Sequence, residues 1–354
     1  MKNSLKYFYR SFFATGLGLL VGFGVGYAYT GTIWGGLVSL FLTFVLSVLE
    51  ISLSFDNAIV NASVLREMTP LWRHRFITWG MLIAVFGMRI IFPVAIVSII
   101  GRMGPWEAIV MATTEPERYQ SIMESSHLAL AGFGGSFLLL VCLRYFFDSS
   151  KDAHWIAIIE KPLSKLGNLE AIEMVFCLVI FYVLSRFLPV PEEKVTFLVA
   201  GIFGVTTFVL VDGFATLCKM SDQAKHQTER ASAALFVYLE ILDASFSFDG
   251  VIGAFALTNN LFVIAAGLGV GAMFVRSMTI MLVEKNTLEQ FPFVEHGAFY
   301  AIGALAAMML LGAFMHVPEV ITGLIGATII GISLWASIRK MRQTAKESAN
   351  VRTA

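Results

Sequence analysis

Residues 50–57 read Glu-Ile-Ser-Leu-Ser-Phe-Asp-Asn, and residues 243–250 read Asp-Ala-Ser-Phe-Ser-Phe-Asp-Gly. The phrases agree in a carboxylate, two serines, an aromatic ring and a second carboxylate, at a constant offset of 193 residues. Each copy sits in an otherwise apolar run. A charge at the centre of a bilayer costs about 2.5–3.5 kcal/mol on insertion scales, so four carboxylates represent roughly 10 kcal/mol that packing alone does not demand. Something cationic is expected to use them.

The apolar setting extends outward from the phrases along the whole chain. Of 354 residues, 57% are hydrophobic and only 14% charged, with a mean hydropathy of +0.77. A soluble chain would carry about 25% charge. Ten apolar runs are long enough to cross a hydrocarbon core of about 30 Å, near residues 11–29, 33–65, 76–100, 128–147, 171–188, 195–217, 231–258, 261–283, 297–315 and 319–338. The expected fold is an all-α polytopic membrane bundle. The first run is too long for a signal-peptide core and lacks a small-x-small cleavage site, so it reads as a span. Glycines 16, 18, 22, 24 and 26 give it a small face for close helix contact. Cys142, Cys177 and Cys218 lie in apolar runs without CxxC spacing and read as packing thiols. No basic stripe with interleaved aromatics is present, which argues against a nucleic-acid partner; the partners expected are the lipid bilayer and a divalent cation.

Zero net charge hides a strong asymmetry. Nineteen of the 25 basic residues fall on one side of the ten spans, in the N-terminus, the loops around 66–75, 144–170 and 218–230, Lys285 and the C-terminal tail. Only Arg102, Arg118, Arg186 and Lys194 fall on the other. The positive-inside rule then makes both termini cytoplasmic, in a multi-pass protein of a bacterial inner membrane. The outer loop 101–127 carries Glu107, Glu115, Glu117 and Glu124, either as a solvated acidic loop or as an attractor of cations.

The repeat reaches beyond the acidic phrase. The span after each copy carries one interior arginine, Arg89 or Arg276, and the next span opens at a histidine, His127 or His296. Those histidines read as interfacial anchors. Spans two to four thus correspond to spans seven to nine. Five span steps separate the copies, and an odd number predicts inverted topology, a transporter pattern. The halves are residues 1–188 and 189–338, followed by a basic cytoplasmic tail at 339–354.

On one unbroken helix, residues six apart are separated by roughly 240°, so Glu50 and Asp56 point to different sides while Glu50, Ser54 and Asn57 share one. Either the helices break near the phrase, or each contributes one carboxylate to a shared site. Glu50, Asp56, Asp243 and Asp249, with Asn57, Ser54 and Ser247, make an all-oxygen set suited to Mg²⁺, Ca²⁺ or Mn²⁺. The absence of His or Cys within the phrases argues against copper or a typical zinc site. The plainer alternative is that the acids only bond across helices or pair with Arg89 and Arg276. Two arginines cannot neutralise four acids, so the arginines are expected to compensate charge or gate the site when no cation is bound. Glu240 and Asp212 are candidate proton relays, with helix-edge and packing roles as alternatives; Glu173 reads as interfacial.

At these residues the chain resembles the TerC family of integral membrane proteins, placed among LysE-like exporters. The resemblance rests on Glu50 with Asp56 and Asn57, on Trp79-Gly80 and Arg89, on Asp243 through Asp249, and on Thr258-Asn-Asn-Leu-Phe with Arg276. It covers roughly residues 45–100 and 235–310, and Gly250 stands where that family usually has serine. The resemblance implies Mn²⁺ export, with the cation as cargo and no resident cofactor. Export of a small organic cation or amino acid, and a non-transporting membrane scaffold for stress-response partners, are the alternatives. No HExxH, no Ser/Lys or Ser/His pairing within spans and no GxGD phrase occur, which argues against an enzyme.

Overall fold

The computed structural model describes residues 5–353 except 81, 150, 152, 170, 220–223 and 316; the side chains of 215–219, 224–228, 248, 249, 256, 319, 320 and 344–353 also lie outside the description. The described chain is helical. Helices α1 (Leu5–Thr30), α2 (Ile33–Leu53), α3 (Phe55–Glu67) and α4 (Pro70–Arg75) come first. Two π-helical stretches, Phe76–Gly80 and Ile83–Ile91, then lead into α5 (Phe92–Ile100). Next come α6 (Pro105–Thr114), α7 (Pro116–Ser125), α8 (His127–Phe147), α9 (Ala157–Leu166), α10 (Ile172–Ser185) and α11 (Pro191–Lys219). The chain closes with α12 (Ala224–Leu257), α13 (Leu261–Glu284), α14 (Thr287–Gln290), α15 (Val294–Gly312) and α16 (Glu319–Thr353).

Among the described residues, eight helices are long and apolar enough to cross a membrane: α1, α2, the run Pro70–Ile100, α8, Pro191–Phe214 of α11, α13, α15 and Ile321–Gln343 of α16. Two of the ten expected runs are not among them. The run at 171–188 contains α10, which is apolar but only 14 residues long. The run at 231–258 lies in α12, where Glu240, Asp243 and Asp249 interrupt the apolar stretch. The long run at 33–65 is two helices, α2 and α3, meeting at Ser54. Many apolar side chains face outward, Phe13 at 70%, Trp34 at 74% and Phe203 at 62% exposure among them. A soluble fold would bury such surface; a hydrocarbon solvent does not require it.

Small residues set the helix contacts. A Cβ on Gly22 or Gly26 of α1 would fall within 2.5 Å of α2 side chains, and one on Gly18 would strike Val270 of α13; at Gly16 and Gly24 nothing lies near. The expected small face is therefore Gly18, Gly22 and Gly26. Ser11 of α1 adds a hydroxyl contact to Ser277 (2.7 Å) and a bond to the Met273 carbonyl (2.8 Å) of α13. Helix α13 packs on α1, α2, α3 and the π-helical Ile83–Ile91, and α8 packs on α11, α12 and α15.

Two apolar clusters form the core. One gathers Ala58, Phe137, Leu242 and Ile302, and the other gathers Leu46, Val97, Tyr119 and Val251. Each acidic phrase lies between the clusters, yet the chain runs through them in opposite senses. From Leu46 to Ala58 it passes from the second cluster to the first, and from Leu242 to Val251 it returns. Loop 101–127 is more than a solvated loop. Its helices α6 and α7 bury Met111, Tyr119 and Met123 in the second cluster and leave Glu115, Glu117 and Glu124 exposed.

The 148–170 region is pinned to α15 by buried Glu160. Its carboxylate accepts from the backbone N–H groups of Trp155 (3.1 Å) and Ile156 (3.0 Å) and from the Tyr300 hydroxyl (3.2 Å), and His154 and His296 each stand 3.5 Å away. His296 is thus a buried pin rather than an interfacial anchor, with Nε2 2.8 Å from the Ala153 carbonyl. Nearby, Lys151 sits over the Tyr145 ring and donates to its carbonyl. Burial pushes its ammonium down to about 7, against the opposing pull of Asp148, Glu295 and Glu160.

Candidate cation site

Glu50 is held by close helix contact. A Cβ on Gly271 of α13 would lie 2.4 Å from the Glu50 Cβ, so only a bare backbone allows α13 to press on α2 there. One turn earlier the Ser47 hydroxyl donates to the Gly267 carbonyl at 3.0 Å. The helix then bends at Ser54 (φ −103°, ψ 19°), whose N–H still bonds the Glu50 carbonyl and whose hydroxyl reaches Glu50 Oε1 at 3.2 Å. The bend keeps helical spacing across the break. Glu50, Ser54, Asn57 and Asn61 consequently line one cavity, as the 4-3-4 spacing of one helix face requires.

Asp243 of α12 closes that cavity from the opposite side. Asn57 Nδ2 donates to Asp243 Oδ1, and Asn61 Nδ2 lies 3.5 Å from the same oxygen. The cavity measures about 40 Å³, room for roughly three water-sized bodies. The Oδ1 atoms of Asn57 and Asn61 are buried and have no donor among the described residues. Unsatisfied buried oxygens are costly, and two of them on residues lining one cavity are acceptors of the kind a positive group would satisfy. Asn61 is absent from the sequence reading; continuing the 50-54-57 spacing by four residues would have found it.

Both interior arginines line the same cavity. Arg89 forms an ion pair with Glu50 Oε1, each side chain about 5% exposed, and a second donation to the Ala84 carbonyl. Arg276 pairs with no carboxylate among the described residues; its Nε donates to the Ile77 carbonyl at 2.7 Å. Ile77 and Ala84 both lie in π-helical stretches, where the wider ladder exposes carbonyls. Pro93, lacking an N–H, cannot bond the Arg89 carbonyl four residues back, a local cause of the irregular ladder.

The other expected site residues lie apart from this cavity. Asp56 faces a second one of about 20 Å³, lined also by Glu50, Ser54 and Gly250. The Asp249 side chain lies outside the described residues. Ser247 is buried, its hydroxyl has no partner among the described residues, and it lines neither cavity. Glu240 is 9% exposed, and neither carboxylate oxygen has a partner among the described residues. It lodges beside Gly80, where a Cβ would fall 2.6 Å from Oε1, and Gly80 lines the first cavity. Asp212 is 40% exposed and lies 3.6 Å from Arg144, which also bonds Glu173 at 3.0 Å, and it lines neither cavity. Among the described residues no cluster of three or more His, Cys, Asp or Glu side chains is placed to hold a metal. The cavity instead mixes two carboxylates with amide and hydroxyl oxygens, a set that suits hard cations.

The family model described as a protein of unknown function, DUF475, matches residues 55–344, a stretch that includes Asp56, Arg89, Asp243 and Arg276 and begins five residues after Glu50. No curated protein and no solved structure matches the chain.

Proposed function

This chain belongs to the DUF475 family of proteins of unknown function, and we propose that it is a TerC-like transporter that exports a divalent cation, Mn²⁺ by preference, through the bacterial inner membrane. The observation that carries this reading is the buried cavity between the phrases, where Glu50 and Asp243 stand with two donorless amide oxygens and Arg89 answers only one of the acids. Such a set offers hard oxygen ligands and an electrostatic reason to attract a cation. A volume near 40 Å³ favours a small ion over an organic cation or amino acid.

The architecture is read as two inverted halves. Adding α10 and α12 to the eight apolar helices makes ten spans with both termini cytoplasmic. Paired contacts support the inversion: α2 packs on α13 as Ile83–Ile91 packs on α12, and α3 packs on α15 as α12 packs on α8. The opposite course of the two phrases between the core clusters supports it too. Sites at the interface of inverted halves serve alternating access. In that cycle Arg89 holds Glu50 while the site is empty and releases it to an arriving cation. Glu240, buried beside Gly80 and without a partner among the described residues, is the better placed proton relay; Asp212 has Arg144 instead.

The test is intracellular manganese in challenged cells expressing the protein or its Asp243→Asn variant at matched level. Wild type should lower manganese and the variant should not. Equal lowering by both would sink the mechanism, and no change with wild type would remove Mn²⁺ as substrate.

A further inference from the structure

Glu50 faces two cavities, and its oxygens are divided between them. Oε1 takes the Arg89 guanidinium and the Ser54 hydroxyl. Oε2 turns towards α12, where a Cβ on Gly250 would lie 3.2 Å from it, and no donor among the described residues reaches it. Beyond Oε2 lies the cavity lined by Asp56, Gly250 and Thr322. Asp56 is 5% exposed, and its carboxylate accepts from backbone N–H groups alone, that of Asn57 at 2.9 Å from Oδ1 and its own. No side-chain donor among the described residues reaches Asp56, which lines the cavity.

We propose that this cavity is a second site for a small hard cation, in series with the first and sharing Glu50. The class of ion rests on the transport reading; the site itself rests on the residues around it. Two carboxylates face the space and Arg89 answers one of them, which leaves negative charge buried where its cost is high. The hydroxyls of Ser54 and Thr322 add neutral oxygens of the kind hard cations accept. The volume of about 20 Å³ holds one water-sized body, hence one ion. Gly250 supplies the room: any side chain there would grow towards Glu50 Oε2 and into the space. Glu50 and Ser54 form the partition, since both line both cavities. An ion leaving one side therefore meets its next ligand on a residue it already touches. Several weak sites in sequence let an ion enter without being trapped.

The experiment counts bound Mn²⁺ on the full-length protein in detergent, by equilibrium dialysis with elemental analysis. Two ions per chain are expected for wild type. Asp56→Asn should bind one, and so should Gly250→Val, which fills the cavity without altering any charge and serves if Asp56→Asn does not fold. Asp243→Asn should also bind one, by losing the other site. A wild-type count of one, lost in Asp243→Asn and kept in Asp56→Asn and Gly250→Val, overturns the second site and leaves the transport reading standing. A count of two unchanged by both Asp56→Asn and Gly250→Val overturns it equally. No bound ion in wild type overturns both.

Discussion

Asn57 and Asp243, 186 residues apart in the chain, are joined by a hydrogen bond from the Asn57 amide to the Asp243 carboxylate. This bond ties the first acidic phrase to the second at the cavity that both residues line. Asn57 holds Asp243 with its nitrogen, and its buried oxygen has no donor among the described residues; in the proposed transport site one side chain then both positions a ligand and offers one.

Replacing Asp243 with Asn should separate binding from folding. The new amide oxygen still accepts from Asn57, so melting temperature should hold or rise. Mn²⁺ affinity should fall at least tenfold, about 1.4 kcal/mol. Asn57→Leu should do the reverse in part, destabilising by roughly 1–3 kcal/mol because a part-buried carboxylate loses its donor. Calorimetric titration and thermal unfolding of the two variants check the split.

Glu50 and Arg89 form a buried pair, and breaking one side should cost more than removing both. Arg89→Met leaves a buried carboxylate unanswered, a loss of about 3–5 kcal/mol. Glu50→Gln combined with Arg89→Met should recover most of that loss. The readout is the coupling energy of the double-mutant cycle in thermal or denaturant unfolding. A coupling near zero would mean that the pair does not hold the folded state together.

Cysteines introduced at Glu117 and Glu289, both exposed, should label from opposite faces of the membrane in a background without native cysteines. Position 117 should react with an impermeant maleimide in intact cells, and position 289 only after permeabilisation. Labelling of both from one face would overturn the ten-span topology and the inversion with it.

Lys151 should give stability a rising pH dependence. Burial holds its folded-state value near 7 against an ordinary 10.5. Between those values the unfolded chain binds the additional proton, so folding grows more favourable as pH increases. Melting temperature should climb from pH 7 to 9.5 in wild type, and Lys151→Met should flatten that climb. The check is thermal unfolding of both proteins across that range.

Much of this was legible without coordinates, because helical periodicity and membrane cost are local matters. Apolar runs marked the eight helices long enough to cross a membrane, and the 100° step per residue already placed Glu50, Ser54 and Asn57 on one face and Asp56 on another; Asn57 and Asp56 do line separate cavities, while Glu50 and Ser54 line both. The same logic extended one turn would have included Asn61. The carboxylates interrupting α12 stand in the sequence, but the shortness of α10 within its apolar run, and how both segments pack, do not. The tertiary structure alone decided the partners. Nothing local indicates that Arg89 pairs with Glu50 while Arg276 bonds the Ile77 carbonyl, since that depends on where a π-helical ladder loosens beside α13. Nor could any local rule show that Gly250 opens space beside Glu50 or that Gly271 lets α13 close upon it. A helix surface specifies which side chains face inward; only the packing of helices distant in sequence determines which of them meet.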